Sequence, residues 1–204
     1  MLTKPLASLI VAASFFSFAA TAAPVIIDFE EFTDGALDGT TLATKGMIFD
    51  WAGLSPSLPA IGSEGWSQGS GFHELGFCGF CEDTNGTALY TANGTSFELD
   101  SFRFGGNPNS SDLFFNGTVT GYIEGGGTVS QSISVDPEAP QLISFDSSWT
   151  NLTSVEIIID VLVDGHDAFD IFVIDDVHIQ AVPAPAAVWL FGSALAGLGW
   201  LRRK

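Results

Sequence analysis

Thr128-Val129-Ser130-Gln131-Ser132-Ile133-Ser134-Val135 is the stretch that decides the fold. Val129, Gln131, Ile133 and Val135 take alternate positions, and threonine or serine fills every position between them. A period of two places the two sets on opposite faces of a β-strand, whereas a helix would bring i, i+3 and i+4 together. The same alternation recurs outward from this stretch. Ile27 and Phe29 alternate with Asp28 and Glu30. Val155, Ile157, Ile159, Val161 and Val163 form one face, with Glu156 and Asp160 on the reverse. From Asp170 to Gln180, Ile171, Val173, Asp175, Val177 and Ile179 stand against Phe172, Ile174, Asp176, His178 and Gln180. Between Ser96 and Phe104 the phase changes: Phe97 and Leu99 are in step, then Phe102 and Phe104, as a β-bulge would produce.

Turn signals separate these runs: Asp34-Gly35, Asp38-Gly39, Asn85-Gly86, Asn93-Gly94, Asn116-Gly117, Gly125-Gly126-Gly127 and Asp164-Gly165. Nine or ten short strands with such punctuation and no amphipathic helix predict an all-β fold. Its expected form is an antiparallel β-sandwich, specifically a jelly roll. Phenylalanine dominates the aromatic residues, which suits a packed layer between two sheets. Strand signals fade from about Ala52 to Thr84, where a long loop is expected.

A chain of 204 residues holds one ordinary domain. The formal charge of −18 is unevenly spread. All the carboxylates lie in the middle of the chain, faced there by Lys45 and Arg103 alone. A body that acidic repels phosphate, which excludes nucleic acid as a partner class.

The two ends differ from the body. Residues 1–22 have the order of a secretory signal peptide: Lys4, an apolar run from Leu6 to Phe18, then the small residues Ala20-Thr21-Ala22 that signal peptidase reads. Residues 23–181 are the expected ectodomain. Residues 182–204 begin Val182-Pro183-Ala184-Pro185-Ala186, continue as an apolar run to Leu201, and end Arg202-Arg203-Lys204. From Ala186 to Leu201 a helix would be about 24 Å long, short of the ~30 Å hydrocarbon core. Trp189 and Trp200 at the interfaces and the snorkelling basic tail close part of that gap. By the positive-inside rule the basic tail stays in the cytoplasm and the body lies outside.

This ending resembles the PEP-CTERM class of C-terminal sorting signals, in its VPxPA variant. Val182, Pro183, Pro185 and Ala186 carry the resemblance, with Val188-Trp189-Leu190-Phe191-Gly192-Ser193 at the helix start. Ala184 departs from the commoner Glu. The resemblance implies an inner-membrane-held precursor processed by an exosortase. Release or transfer to the cell surface or to an extracellular exopolysaccharide matrix of a Gram-negative-type bacterium would follow. The opening Ile27-Asp28-Phe29-Glu30 and the closing Phe172-Val173-Ile174-Asp175-Asp176-Val177 resemble the first and last strands of lectin-like jelly rolls on exported bacterial proteins.

Several residues in the body invite chemistry. Cys78 and Cys81 are expected to form a disulfide outside the cytoplasm, with unpaired thiols and a metal or redox pair as alternatives. Gly65-Trp66-Ser67-Gln68-Gly69 matches G-x-S-x-G, but its glycine-rich setting lacks the strand and helix that a nucleophile elbow needs. Calcium is the candidate cofactor, because hard oxygen ligands abound and the setting is extracellular. Its candidate ligands are Asp28, Glu30, Asp175 and Asp176, which a jelly roll would bring close on its first and last strands. The loop Asp164-Gly165-His166-Asp167-Ala168-Phe169-Asp170 is a second candidate. Both also read as solvated carboxylates. Trp51, Trp66 and Trp149 are candidate sugar-stacking residues, although tryptophan in a sandwich more often belongs to the core. The reading that results is a non-catalytic surface or matrix protein handled by signal peptidase and exosortase. A carbohydrate-binding module contacting exopolysaccharide or another glycan is the alternative.

Overall fold

The computed structural model describes residues 23–52, 60–62, 73–77, 85–106, 115–135, 141–160 and 172–181. These residues form thirteen strands and no helix. The first four are β1 (Pro24–Ile27), β2 (Gly35–Ala36), β3 (Thr41–Thr44) and β4 (Met47–Asp50). The short β5 (Ala60–Gly62) and β6 (Glu74–Phe77) follow. Next come β7 (Asn85–Thr91), β8 (Phe97–Gly106), β9 (Phe115–Ile123) and β10 (Thr128–Val135). The last three are β11 (Gln141–Ser144), β12 (Leu152–Asp160) and β13 (Phe172–Ala181).

Every pairing is antiparallel. One half of the ladder runs β2-β5-β6-β13-β8, with β1 also on β13 and β11 on β8. The other runs β3-β4-β7-β12-β9-β10. The halves meet at one pair, Leu152 of β12 with Phe97 of β8. Buried side chains from both halves join a single apolar cluster, among them Ile27, Phe104 and Phe172 from the first and Phe49, Val119 and Ile157 from the second. Phe29, just after β1, meets Phe49 of β4 with ring centroids 5.3 Å apart. The fold is the expected antiparallel sandwich of jelly-roll type.

The core follows the two-residue period wherever the strand is regular. Val155, Ile157 and Ile159 of β12 are buried, as are Leu89 of β7 and Val119 of β9 beside them. Two bulges break the period and compensate each other. Asp175 of β13 pairs with Arg103 of β8, then His178 pairs with Ser101, so β13 carries one extra residue there. Ile179 next pairs with Leu99, so β8 carries one extra residue at Asp100 and the register is restored. The phase change from Leu99 to Phe102 is therefore a bulge, as the sequence indicates. The matching bulge in β13 corrects the face expected there. Phe172 and Ile174 join the core with Val177 and Ile179, while Val173 is buried outside that cluster. Asp176, with φ +46°, is the residue that makes the turn of phase.

Two turn expectations also change. Asn85-Gly86 and Asn116-Gly117 lie within β7 and β9 rather than between strands. Their glycines flank β12: a Cβ on Gly86 would strike the Ile157 carbonyl oxygen, and one on Gly117 would sit 2.5 Å from that of Ile158. Glycine inside a strand here permits close backbone approach. The β3–β4 hairpin instead turns on Lys45-Gly46, with φ +45° and +83°, the signs a two-residue primed turn demands. Within the expected long loop, β5 and β6 pair with each other and bury Ile61 and Leu75. They are too short to show a period in sequence.

Candidate functional site

β1 and β13 do pair, Pro24 with Gln180 through Ile27 with Val177, so the first and last strands lie side by side as expected. Of the carboxylates proposed as calcium ligands, Asp28, Glu30 and Asp176 take different partners. Lys45, swung across from the β3–β4 turn, places its ammonium 2.5 Å from Asp28 Oδ1 and 2.9 Å from the Ile26 carbonyl oxygen. That ammonium is 3.8 Å from Glu31 Oε2, and the Thr44 hydroxyl donates to the other oxygen of Glu31. The bond from Lys45 holds Asp28 below the usual carboxylate range, against the opposing effect of partial burial. Arg103 Nε lies 3.0 Å from Asp176 Oδ2. Glu30 accepts from the His73 backbone N–H at 3.2 Å and meets His73 Nδ1 at 3.3 Å, while Nε2 of that ring is 3.3 Å from Asp34. Asp175 is buried, 2 % exposed, beside Arg103 in register. Lys45 and Arg103, the Lys and Arg of the acidic body, are thus each paired with one of these carboxylates. Among the described residues no three His, Cys, Asp or Glu converge as a metal site.

Two of the tryptophan candidates belong to the core. Trp51 and Trp149 are each 2 % exposed. Trp51 donates its indole N–H to the Gly39 carbonyl at 3.1 Å, and Trp149 packs on Phe145 with centroids 4.4 Å apart. A buried ring offers no face to a sugar, so the stacking expectation is corrected for both. Trp66, Ser67, Cys78, Cys81, the loop 164–170, the signal peptide 1–22, the motif Val182 to Ala186, the helix after it and the tail Arg202 to Lys204 lie outside the described residues.

The sequence reading missed a different surface, the outward face of the β3-β4-β7-β12-β9-β10 half. Leu89 and Gly121 both pair with Val155, so the next residues, Tyr90 and Tyr122, flank Ser154 from opposite sides. Ile48 pairs with Tyr90, and Tyr122 with Thr128. The neighbouring row holds Asp50, Ala88, Glu156, Thr120 and Ser130. Each tyrosine donates diagonally into that row: Tyr90 Oη to Asp50 Oδ2 at 3.2 Å, Tyr122 Oη to Glu156 Oε2 at 3.0 Å. An aspartate side chain is short, so Tyr90 must lean along the sheet to reach it. Tyr122 is 40 % exposed.

Both phenols are raised above their usual pKa of 10.0. Desolvation leads at Tyr90, with Asp50 adding to it. The bond to Glu156 leads at Tyr122. These are the only two tyrosines in the chain. Each directly follows an inward residue, Leu89 or Gly121, which was the available signal. At Tyr122 it was hidden, because a glycine announces no face.

Residues 181–204 match the family described as the PEP-CTERM protein-sorting motif, and the chain carries that motif. No curated protein matches the chain. Among solved structures it is similar to the CBM22-1 xylan-binding domain from Paenibacillus barcinonensis, at 16% identity and a TM-score of 0.45, over 80% of this chain and 97% of that one. It is also similar to the family 11 carbohydrate-binding module of a Clostridium thermocellum cellulosomal cellulase, at 14% identity and a TM-score of 0.39, over 80% and 96%.

Proposed function

We propose that the chain is an exported, non-catalytic β-sandwich protein that an exosortase processes at its C-terminal signal and delivers to the cell surface or extracellular matrix. The PEP-CTERM motif at residues 181–204 carries this reading. The motif begins where β13 ends, at Ala181, so a cut within Val182 to Ala186 would leave the last strand whole. Pro183 and Pro185 disfavour a helix running back through this segment, which suits recognition by a membrane enzyme.

Deleting Val182 to Ala186 tests this. The expected result is a precursor that stays with the inner membrane at its uncut mass. Normal processing of the deletion would overturn the sorting role.

The open face of Tyr90 and Tyr122 favours a second reading, in which the body holds a glycan. It replaces the buried Trp51 and Trp149 with two tyrosines that reach solvent.

A further inference from the structure

We infer that the Tyr90–Tyr122 row is the binding site for an uncharged, extended polysaccharide whose chain runs across the strands, with the two phenol rings under alternate sugar units. This deepens the glycan reading above and rests on it.

Spacing is the first argument. Tyr90 on β7 and Tyr122 on β9 are separated by β12 alone, so their backbones stand roughly 10 Å apart, two strand spacings. That is about the advance of two pyranose units in an extended β-linked chain. The unit between them would lie over Ser154, whose small side chain leaves room. An apolar ring with a polar tip suits a sugar, which has both C–H faces and hydroxyl edges.

Chemistry beside the rings is the second. Asp50 and Glu156 each accept from a tyrosine through one oxygen, 3.2 and 3.0 Å away. The other oxygen of Asp50 also accepts from the Ala52 backbone N–H at 2.9 Å. A carboxylate oxygen with one such bond keeps a lone pair able to accept from a sugar hydroxyl, as does the second oxygen of Glu156. Thr118, Thr120, Ser130 and Ser132 continue the outward face of β9 and β10, each able to donate and accept. Because both phenols are raised, the rings keep their protons and remain neutral donors throughout the physiological range.

Charge is the third, and it selects among glycans. Lys45 and Arg103 are the only Lys or Arg of the body, and both are engaged elsewhere, Lys45 with Asp28 after β1 and Arg103 of β8 with Asp176 of β13. A face bearing Asp50 and Glu156 without a cation repels uronate, sulfate or phosphate groups. The occupant is therefore neutral.

The test is calorimetric titration of the full chain, held in a detergent without a sugar headgroup. The probes are neutral β-linked gluco-, manno-, xylo- and galacto-hexasaccharides, with polygalacturonate as the anionic one. At least one neutral hexasaccharide should bind, and its disaccharide should bind at least tenfold more weakly. Tyr90→Ala and Tyr122→Ala should each lose tenfold or more. Tyr122→Phe, which keeps the ring, should stay within a few-fold of the parent and so separates stacking from misfolding. Failure of every saccharide to bind would sink the glycan reading and this site together. Preferential binding of polygalacturonate, or neutral binding that survives both alanine variants, would leave the glycan reading standing and remove this site.

Discussion

Tyr122 donating to Glu156, and Tyr90 to Asp50, make a pair of bonds with a measurable signature. Burial first and then the bond to Asp50 at Tyr90, and the bond to Glu156 at Tyr122, favour the protonated phenol, so each folded pKa rises above the unfolded value near 10. The stability this confers is complete below the unfolded pKa and is lost as pH climbs through the raised folded values. Phenolate absorbance of the native chain should therefore rise at higher pH than in urea, where both tyrosines should titrate near 10. Because the chain has two tyrosines, the amplitude assigns itself. Glu156→Gln removes the leading cause at Tyr122 and should bring one of the two steps downward. A native curve that already matches the urea curve would contradict both bonds. The same scale shows what a sequence conveys about a site. The expected pairing of the end strands, β1 with β13, is present, yet Asp28 bonds to Lys45 and Asp176 to Arg103. Lys45 reaches Asp28 from 17 residues away through a hairpin turn that only the fold reveals.

At the scale of elements, glycine had two meanings that sequence could not separate. Asn93-Gly94 does turn the chain, with Gly94 at φ +72° and its N–H bonded to Thr91 O at 3.1 Å. Asn85-Gly86 reads the same in sequence and lies in a strand, because β12 approaches too closely for any side chain. Gly121 is a third case: its added Cβ would meet Leu152 Cδ2 at 2.8 Å and Trp149 Cε3 at 3.2 Å, which are side chains. Backbone cannot step aside as a leucine methyl can. Gly86→Ala should therefore destabilise more than Gly121→Ala, with overpacking costs of about 1–3 kcal/mol setting the scale. Urea unfolding followed by tryptophan fluorescence measures both, since Trp51 and Trp149 are buried. Equal midpoints for the two variants would show that β12 moves as readily as a side chain does. The bulges obey a similar logic of legibility. In β8 the outward Glu98, Asp100 and Arg103 mark the phase, so the shift to Phe102 shows. In β13 both Val173 and Ile174 are apolar, and the shift at Asp176 is hidden.

The whole molecule joins a legible architecture to an unusual charge. Alternation, turn signals and the contrast between apolar ends and acidic body revealed the sandwich and the sorting signal. They could not reveal which outward face stays open, since that depends on strand order. Twenty-four carboxylates against Lys45 and Arg103 set two electrostatic effects against each other when salt is added. Screening weakens the Lys45–Asp28 and Arg103–Asp176 pairs, which are partly exposed and worth about 0–1 kcal/mol each. Screening also relieves repulsion among the remaining carboxylates, which favours the compact state. Two pairs are few beside that many like charges, so relief should win. The thermal midpoint of the full chain should climb by several degrees between 10 mM and 0.5 M sodium chloride, each kcal/mol moving a chain of this size by about 2–4 °C. Tetramethylammonium chloride, too bulky to sit between paired carboxylates, should act equally well at the same ionic strength if the effect is diffuse screening. A midpoint that falls with salt would mean that the Lys45 and Arg103 pairs, rather than repulsion across the surface, govern the stability of the body.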